Sequence, residues 1–392
     1  MPSSPRSLQI AQRVASVPPS GIRRFFDISA TMKDVISLGI GEPDFTTPQH
    51  ILDAGIEALR RGETHYTSNS GILELRQAIA RKYEALYGVR FDPEDELLVT
   101  VGGSEALLLA MLSLVDPGDE VIVVEPSFVA YKPAVIFAGG VPIVVEARPE
   151  NDFEVTGADI EAKITSKTRM IFIGYPNNPT GAVLPRERML EIAALAEKHD
   201  LLVVSDELYD RLVYSGFQQT CFSALPGMKE RTILVAGLSK NYAMTGWRVG
   251  FIAANPALLA AIRKVHQYII MSAPTVAQIA AIEALENGEV AVEQMRQEYD
   301  ARRKLLVGGL NAMGLPTFEP KGAFYCFPCI RSTGLTSEQF SEGLIFEEQV
   351  AAVPGSAFGD CGEGFVRMAY TSGLPQIAEA LERIERFVKR HR

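Results

Sequence analysis

Between residues 96 and 250, short and almost uninterrupted apolar runs alternate with stretches whose apolar positions recur every three or four residues. The runs at 96–101, 120–125, 141–145, 169–173, 201–205 and 232–236 are rich in Val, Ile and Leu and show no polar face. That is the pattern of strands covered on both sides. The periodic stretches predict helices over 50–61, 72–87, 131–138, 157–163 and 186–199. Strands and helices in alternation predict an α/β fold, with a large, mostly parallel sheet of the seven-stranded type covered by helices. After residue 255 helices dominate, at 256–267, 276–287 and 290–313. Strand pieces at 322–327 and 365–369 and a last helix over 375–391 then suggest a smaller α+β region. The first residues are polar and punctuated by proline, with one amphipathic piece at 8–14 and a short strand entering a glycine turn after 35. The expected organisation is an N-terminal arm (1–45) packing with the small domain, a large domain (46–286) and a small C-terminal domain (287–392).

Parallel sheets bind ligands outside the carboxyl ends of their strands. Polar residues fall at those ends here. Gly103, Ser104 and Glu105 follow the strand at 96–101 and open a helix, whose first N–H groups are a ready anion site. Ser104 stands where an N-cap would. Phe128 follows the strand at 120–125, Asn178 follows the run ending at 173, and Asp206 and Tyr209 follow 201–205. Gly39 and Gly41, without Cβ atoms, let backbone approach a ligand closely.

The centre of the pattern is G-L-S-K-N-Y-A-M-T-G-W-R-V-G at 237–250, a strand end running into a tight turn. A lysine held there, partly kept from water, is biased toward its neutral amine, which can add to a carbonyl. Ser239, Thr245, Gly246 and Arg248 surround Lys240 with groups suited to a phosphate. N-P-T-G at 178–181, D-E-x-Y at 206–209, S-K-x-x-x-x-T-G-W-R-x-G from Ser239 and V-R at 366–367 occur in one order. Over residues 20–390 the chain resembles the class I/II aminotransferases, the fold-type I family that includes aspartate aminotransferase.

The resemblance implies pyridoxal 5'-phosphate as cofactor, with Lys240 as its lysine and as proton carrier. Asp206 would then sit by the ring nitrogen, which must be protonated for the cofactor to draw electrons. Tyr209 and Asn178 would hold the ring's 3-oxygen, and Phe128 would lie against its face. Ser104, Ser239, Arg248 and the amides of Gly103 to Glu105 would hold the phosphate. Arg367 is the candidate for the substrate's α-carboxylate, which suits a bidentate guanidinium, with Gly41 and Asn178 beside it. The family likeness also implies a homodimer in which Tyr66 reaches the cofactor phosphate of the neighbouring site. It suggests a cis peptide at Glu125–Pro126, at Asn178–Pro179, or at both.

Charge and composition narrow the partners. With 38 basic against 48 acidic residues and no basic cluster, the chain is not expected to bind nucleic acid. Its longest apolar run, 106–115, is far short of a membrane span, and the N-terminus lacks a signal-peptide core. A cytoplasmic enzyme is expected. Cys326 and Cys329 form C-F-P-C inside an aromatic, strand-like run with no second ligand pair, so plain thiols and no metal are expected.

A distal substrate carboxylate would need its own cation, and the helix after Ser104 offers none. Arg23, Arg24 and Lys321 could serve, but each reads better as a solvated charge. Tyr131, Tyr325 and Phe327 are placed near the expected mouth and suit an aromatic or neutral side chain. The expected reaction is transamination between an L-amino acid (aromatic, neutral or aspartate-like) and a 2-oxo acid such as 2-oxoglutarate. A C–S β-lyase on the same fold, or a non-catalytic ligand-sensing domain, are the alternatives.

Overall fold

The computed structural model describes residues 10–19, 21, 22, 25, 28, 32 and 34–392. Its strands are β1 (Ile36–Ser37), β2 (Leu97–Thr100), β3 (Glu120–Glu125), β4 (Val141–Glu146), β5 (Thr168–Gly174), β6 (Leu202–Asp206), β7 (Thr232–Gly237), β8 (Gly250–Ala253), β9 (Tyr325–Cys326), β10 (Val350–Ala351), β11 (Val353–Pro354) and β12 (Val366–Ala369). The helices are α1 (Gln12–Ala15), α2 (Gln49–Arg60), α3 (Leu73–Tyr87), α4 (Gly102–Leu114), α5 (Tyr131–Ala138), α6 (Gly157–Glu161), α7 (Arg186–Lys198), α8 (Pro256–Ile269), α9 (Thr275–Asn287), α10 (Glu289–Ala312), α11 (Ser337–Glu348) and α12 (Leu374–Arg390).

Seven strands form the main sheet in the order β2-β8-β7-β6-β5-β3-β4. Only β8 runs antiparallel to its neighbours. The central strands are apolar throughout because helices cover both faces. Ile122, Ile171 and Val203 pack on one side with α7, and Val123, Phe172, Val204 and Val235 on the other with α4 and α8. Since β2, β3, β5, β6 and β7 all point the same way, their carboxyl ends gather along one rim, as expected.

A second sheet, β11-β12-β9, is antiparallel, and β1 pairs in parallel with β10. Helix α12 buries Ile377, Ala380, Leu381, Ile384, Phe387 and Val388 against this part of the molecule, so one apolar stripe fixes its orientation. Ile36 and Leu38 join the same apolar cluster, which ties the chain before residue 40 to the C-terminal segment.

Several local expectations need correction. The run 322–327 forms a strand only at Tyr325–Cys326. Strand β8 and helix α11 were not foreseen. One of the two named bonds is cis as expected, Glu125–Pro126; Asn178–Pro179 is not, and a second cis bond falls at Tyr175–Pro176. Residues 8 and 9 of the amphipathic piece at 8–14 lie outside the described residues, and the chain is helical at Gln12–Ala15. Arg23 and Arg24 lie outside the described residues altogether.

Candidate active site

A cavity of about 230 Å³ opens at the rim of the main sheet. It is lined by Gly41, Gly103, Ser104, Phe128, Asn178, Asp206, Tyr209, Ser239, Lys240, Arg248 and Arg367, together with Tyr325 and Leu208. Nearly every residue singled out for the site is brought together. Ser104, Phe128, Asn178, Asp206, Tyr209 and Lys240 come from the carboxyl ends of main-sheet strands, whereas Tyr325 and Arg367 come from β9 and β12 of the second sheet.

Lys240 follows β7 and donates from Nζ to the Gly41 carbonyl at 2.6 Å. Burial lowers its pKa to about 8, and Arg367 and Arg248 push the same way, against Glu42 and Asp206. The neutral amine, the form that adds to carbonyls, is therefore about a tenth of the total at pH 7, far more than for an ordinary lysine.

Asp206 ends β6. Burial raises its pKa to about 6, against hydrogen bonds from Tyr131 and the Leu208 amide and the charge of Lys240. The Tyr131 hydroxyl donates to Asp206 Oδ2 at 2.7 Å, and the Leu208 N–H donates to Oδ1 at 3.2 Å. Tyr131 is thus not at the mouth. It is buried behind the carboxylate and stacks on Phe172 with centroids 4.0 Å apart. Phe327 is also not at the mouth; it stacks on Phe365 in the interior.

The anion end of the cavity is the start of α4. Val101, not Ser104, is its N-cap, and no side chain caps the helix. Ser104 lies in the first turn and is exposed. The Glu105 side chain turns away from the cavity, accepting from the Val101 N–H and pairing with His266 Nδ1 at 2.8 Å. Arg248 has left-handed backbone (φ 57) and crosses over Gly102. A Cβ on Gly102, itself at φ 76, would fall 2.5 Å from Arg248 Nη2, so this crossing requires glycine. Uncapped helix N–H groups, Ser104, Ser239 and an exposed guanidinium are a donor set suited to a phosphate.

Arg367 lies on β12 and is 1% exposed. It donates from Nη1 to Asn178 Oδ1 at 2.9 Å and from Nη2 to the Gly39 carbonyl at 2.6 Å. Its Nε has no hydrogen-bond partner. A buried guanidinium with no acidic partner and a donor to spare suits a visiting carboxylate. Of the two adjacent asparagines only Asn178 faces the cavity. Asn177 is used up in its own turn, donating to the Gly174 carbonyl and accepting from Thr180.

Two participants were not recognised from sequence: Tyr131, and the hydrogen bond of Tyr325 to Tyr209. Tyr66 stands apart from this cavity with 82% of its surface exposed. Lys321 is exposed and does not line the cavity. Among the described residues, no cluster of three or more His, Cys, Asp or Glu could hold a metal ion, and no helix is long and apolar enough to cross a membrane. Cys326 is buried and Cys329 half-buried, both as free thiols.

A lysine of lowered pKa just past one strand and a buried carboxylate at the end of the adjacent parallel strand, beside an uncapped helix start, are an arrangement suited to an α/β enzyme. The sequence model of the family described as Aminotransferase class I and II matches residues 33–384, and the chain belongs to that family. It is 47% identical over 384 residues to an aspartate aminotransferase of Pyrococcus abyssi, covering 97% of this chain and 99% of the relative. Aromatic-amino-acid aminotransferase 2 of Thermococcus litoralis is 46% identical over the same length, with the same two coverages. The solved structure of an aromatic aminotransferase from Pyrococcus horikoshii OT3 superposes with a TM-score of 0.90 at 47% identity, covering 94% of this chain and 99% of that one. This protein is an amino-acid aminotransferase of the aspartate aminotransferase superfamily.

Proposed function

We propose that the cavity holds pyridoxal 5'-phosphate and that the chain moves amino groups between an aromatic or neutral L-amino acid and a 2-oxo acid such as 2-oxoglutarate. The observation that carries this reading is the pairing of Lys240, with its pKa lowered to about 8, and the buried Asp206 across one cavity. When bound, the cofactor supplies an electron sink for the bond broken at the substrate's α-carbon. Lys240 would hold it covalently and, once released, carry the α-proton. Asp206 would keep the ring nitrogen protonated, while Tyr131 orients the carboxylate and favours its charged form. Tyr209 and Asn178 would face the 3-oxygen, and Phe128 the ring. Gly103, Ser104, Glu105 (by its amide), Ser239 and Arg248 would hold the phosphate. Arg367 would clamp the α-carboxylate, with Asn178 and Gly41 beside it.

The substrate preference rests on the lining. Among the described residues that line the cavity, the cations are Lys240, Arg248 and Arg367, each with a role above, while Phe128 and Tyr325 offer aromatic surface. The relatives named for aromatic amino acids and for aspartate bracket this choice. Mixing holoenzyme with single amino acids and following the cofactor's absorbance tests it. Aromatic and neutral amino acids should convert the spectrum at lower concentrations than aspartate, and the reverse order would overturn the preference.

We also read the chain as a cytoplasmic homodimer built from an arm (1–45), a large domain (46–286) and a small domain (287–392). Tyr66, Tyr268, Ile269, Ile270 and Met271 are all exposed, and grouped exposed apolar residues mark interaction surfaces. Their loops are tied together by Asn69 Nδ2 donating to the Met271 carbonyl and Thr275 Oγ1 to the His65 carbonyl. That arrangement suits Tyr66 reaching a neighbouring phosphate site. Sedimentation at micromolar concentration should give twice the chain mass.

A further inference from the structure

Tyr325 touches more of the site than any role so far requires. It sits on β9, where its backbone is level with Ala369 of β12, so its ring lies on the same face of the sheet as Arg367, two residues along. The Arg367 guanidinium stands over that ring, 4.5 Å from its centroid. The hydroxyl of the same tyrosine is 2.9 Å from the hydroxyl of Tyr209. It also packs against Gly41 so closely that a Cβ there would fall 2.6 Å from the Tyr325 oxygen. Gly41 in turn accepts from Lys240. Tyr325 is 1% exposed and lines the cavity.

We propose that Tyr325 is a positioning residue that couples the carboxylate clamp to the cofactor's phenolic oxygen, its ring setting Arg367 and its hydroxyl setting Tyr209. This rests on the cofactor reading given above. Each hydroxyl has one proton. When Tyr325 donates to Tyr209, the Tyr209 proton is left free to point into the cavity, and accepting a hydrogen bond makes Tyr209 the stronger donor. Tyr209 would then donate more strongly to the cofactor's 3-oxygen, which would lower the pH at which the bound cofactor loses its proton. The ring of Tyr325 acts separately. It offers its negative face to the guanidinium and so holds Arg367 flat toward an incoming carboxylate.

Two substitutions separate the halves of the idea. Tyr325→Phe keeps the ring and its packing but removes the hydroxyl. Spectrophotometric pH titration of the resting holoenzyme should show the cofactor's transition moved upward by about 0.4–1 unit, the equivalent of one hydrogen bond of ordinary net strength. The KM for amino acid should change little. Tyr325→Leu removes the ring as well, and should add a rise in KM of about 3- to 30-fold, the scale of a desolvated cation–π contact. A Tyr325→Phe protein that titrates at the wild-type pH overturns the coupling to Tyr209. Unchanged KM in Tyr325→Leu overturns the coupling to Arg367. Failure of the underlying cofactor reading would look different, since wild-type protein would then show no cofactor transition at all.

Discussion

Replacing Lys240 with methionine should abolish transamination and yet make the cofactor-free protein more stable. The amine is buried, and its pKa falls from 10.5 to about 8. A depression of about 2.5 units corresponds to about 3 kcal/mol of cost for keeping the ammonium folded. Methionine keeps the length of the chain and removes the charge. It also removes the donor to Gly41, at a loss of about 1 kcal/mol. The net gain at pH 7 is then about 2 kcal/mol, or roughly 2–4 °C in melting temperature for a chain of this size. The sign with pH follows from the protons bound. Between about 8 and the unfolded value near 10.5, the unfolded chain holds the proton that the folded one has released, so wild-type stability climbs with pH relative to the variant. The advantage of Lys240→Met is therefore complete below about pH 8, shrinks as pH rises, and reverses before about 10.5, where only the lost hydrogen bond remains. Thermal melts of both cofactor-free proteins across pH 7–10 read this directly. A variant that melts lower than wild type at pH 7, or a difference that does not change with pH, would refute the reasoning.

Other substitutions probe the remaining parts of the site. Arg367→Lys keeps a charge but loses the fork that reaches Asn178 and Gly39; kcat/KM should fall by about 2–5 kcal/mol equivalent while cofactor absorbance is retained. A protein that instead purified without cofactor and bound amino acids normally would exchange the roles of Arg367 and Arg248. Tyr131→Phe removes the donor to Asp206, whose pKa is already raised to about 6. Because that carboxyl loses its charge as pH falls through its pKa, the acid limb of cofactor affinity should move up by about 0.4–1 unit in equilibrium titrations, and an unmoved limb would rule out the link. Tyr66→Ala should weaken cofactor binding although Tyr66 lies outside its own chain's cavity; unchanged affinity would remove it from the neighbouring site.

Much of this architecture is legible in the sequence because parallel strands leave a strong signature. Val121 to Val124, Met170 to Ile173 and Ile233 to Ala236 are apolar on both faces, and that fixes a covered sheet and the rim where its ligands must sit. Other elements hide for physical reasons. Strand β8 is four residues long and begins at Gly250, the last residue of the lysine segment, so its apolar run reads as part of a loop. Helix α11 spreads its polar residues around its circumference, which leaves little periodicity to see. Side-chain direction is the harder limit. Asn177 and Asn178 are chemically identical neighbours, and only the turn closed by Thr180 decides which one faces the cavity. Tyr131 opens a short helix in a sequence context that suits a rim aromatic, and only the packing of Phe172 beneath it turns its hydroxyl toward Asp206.

The central claim is that Lys240 is the residue to which the cofactor is bound. Holoenzyme reduced with borohydride fixes the cofactor to its lysine, and digestion followed by mass spectrometry finds the site. The account predicts the pyridoxyl mass on the peptide that contains Lys240, and none in a sample reacted first with excess amino acid substrate. The same mass on another lysine, or on no peptide of a protein that still transaminates, would contradict it.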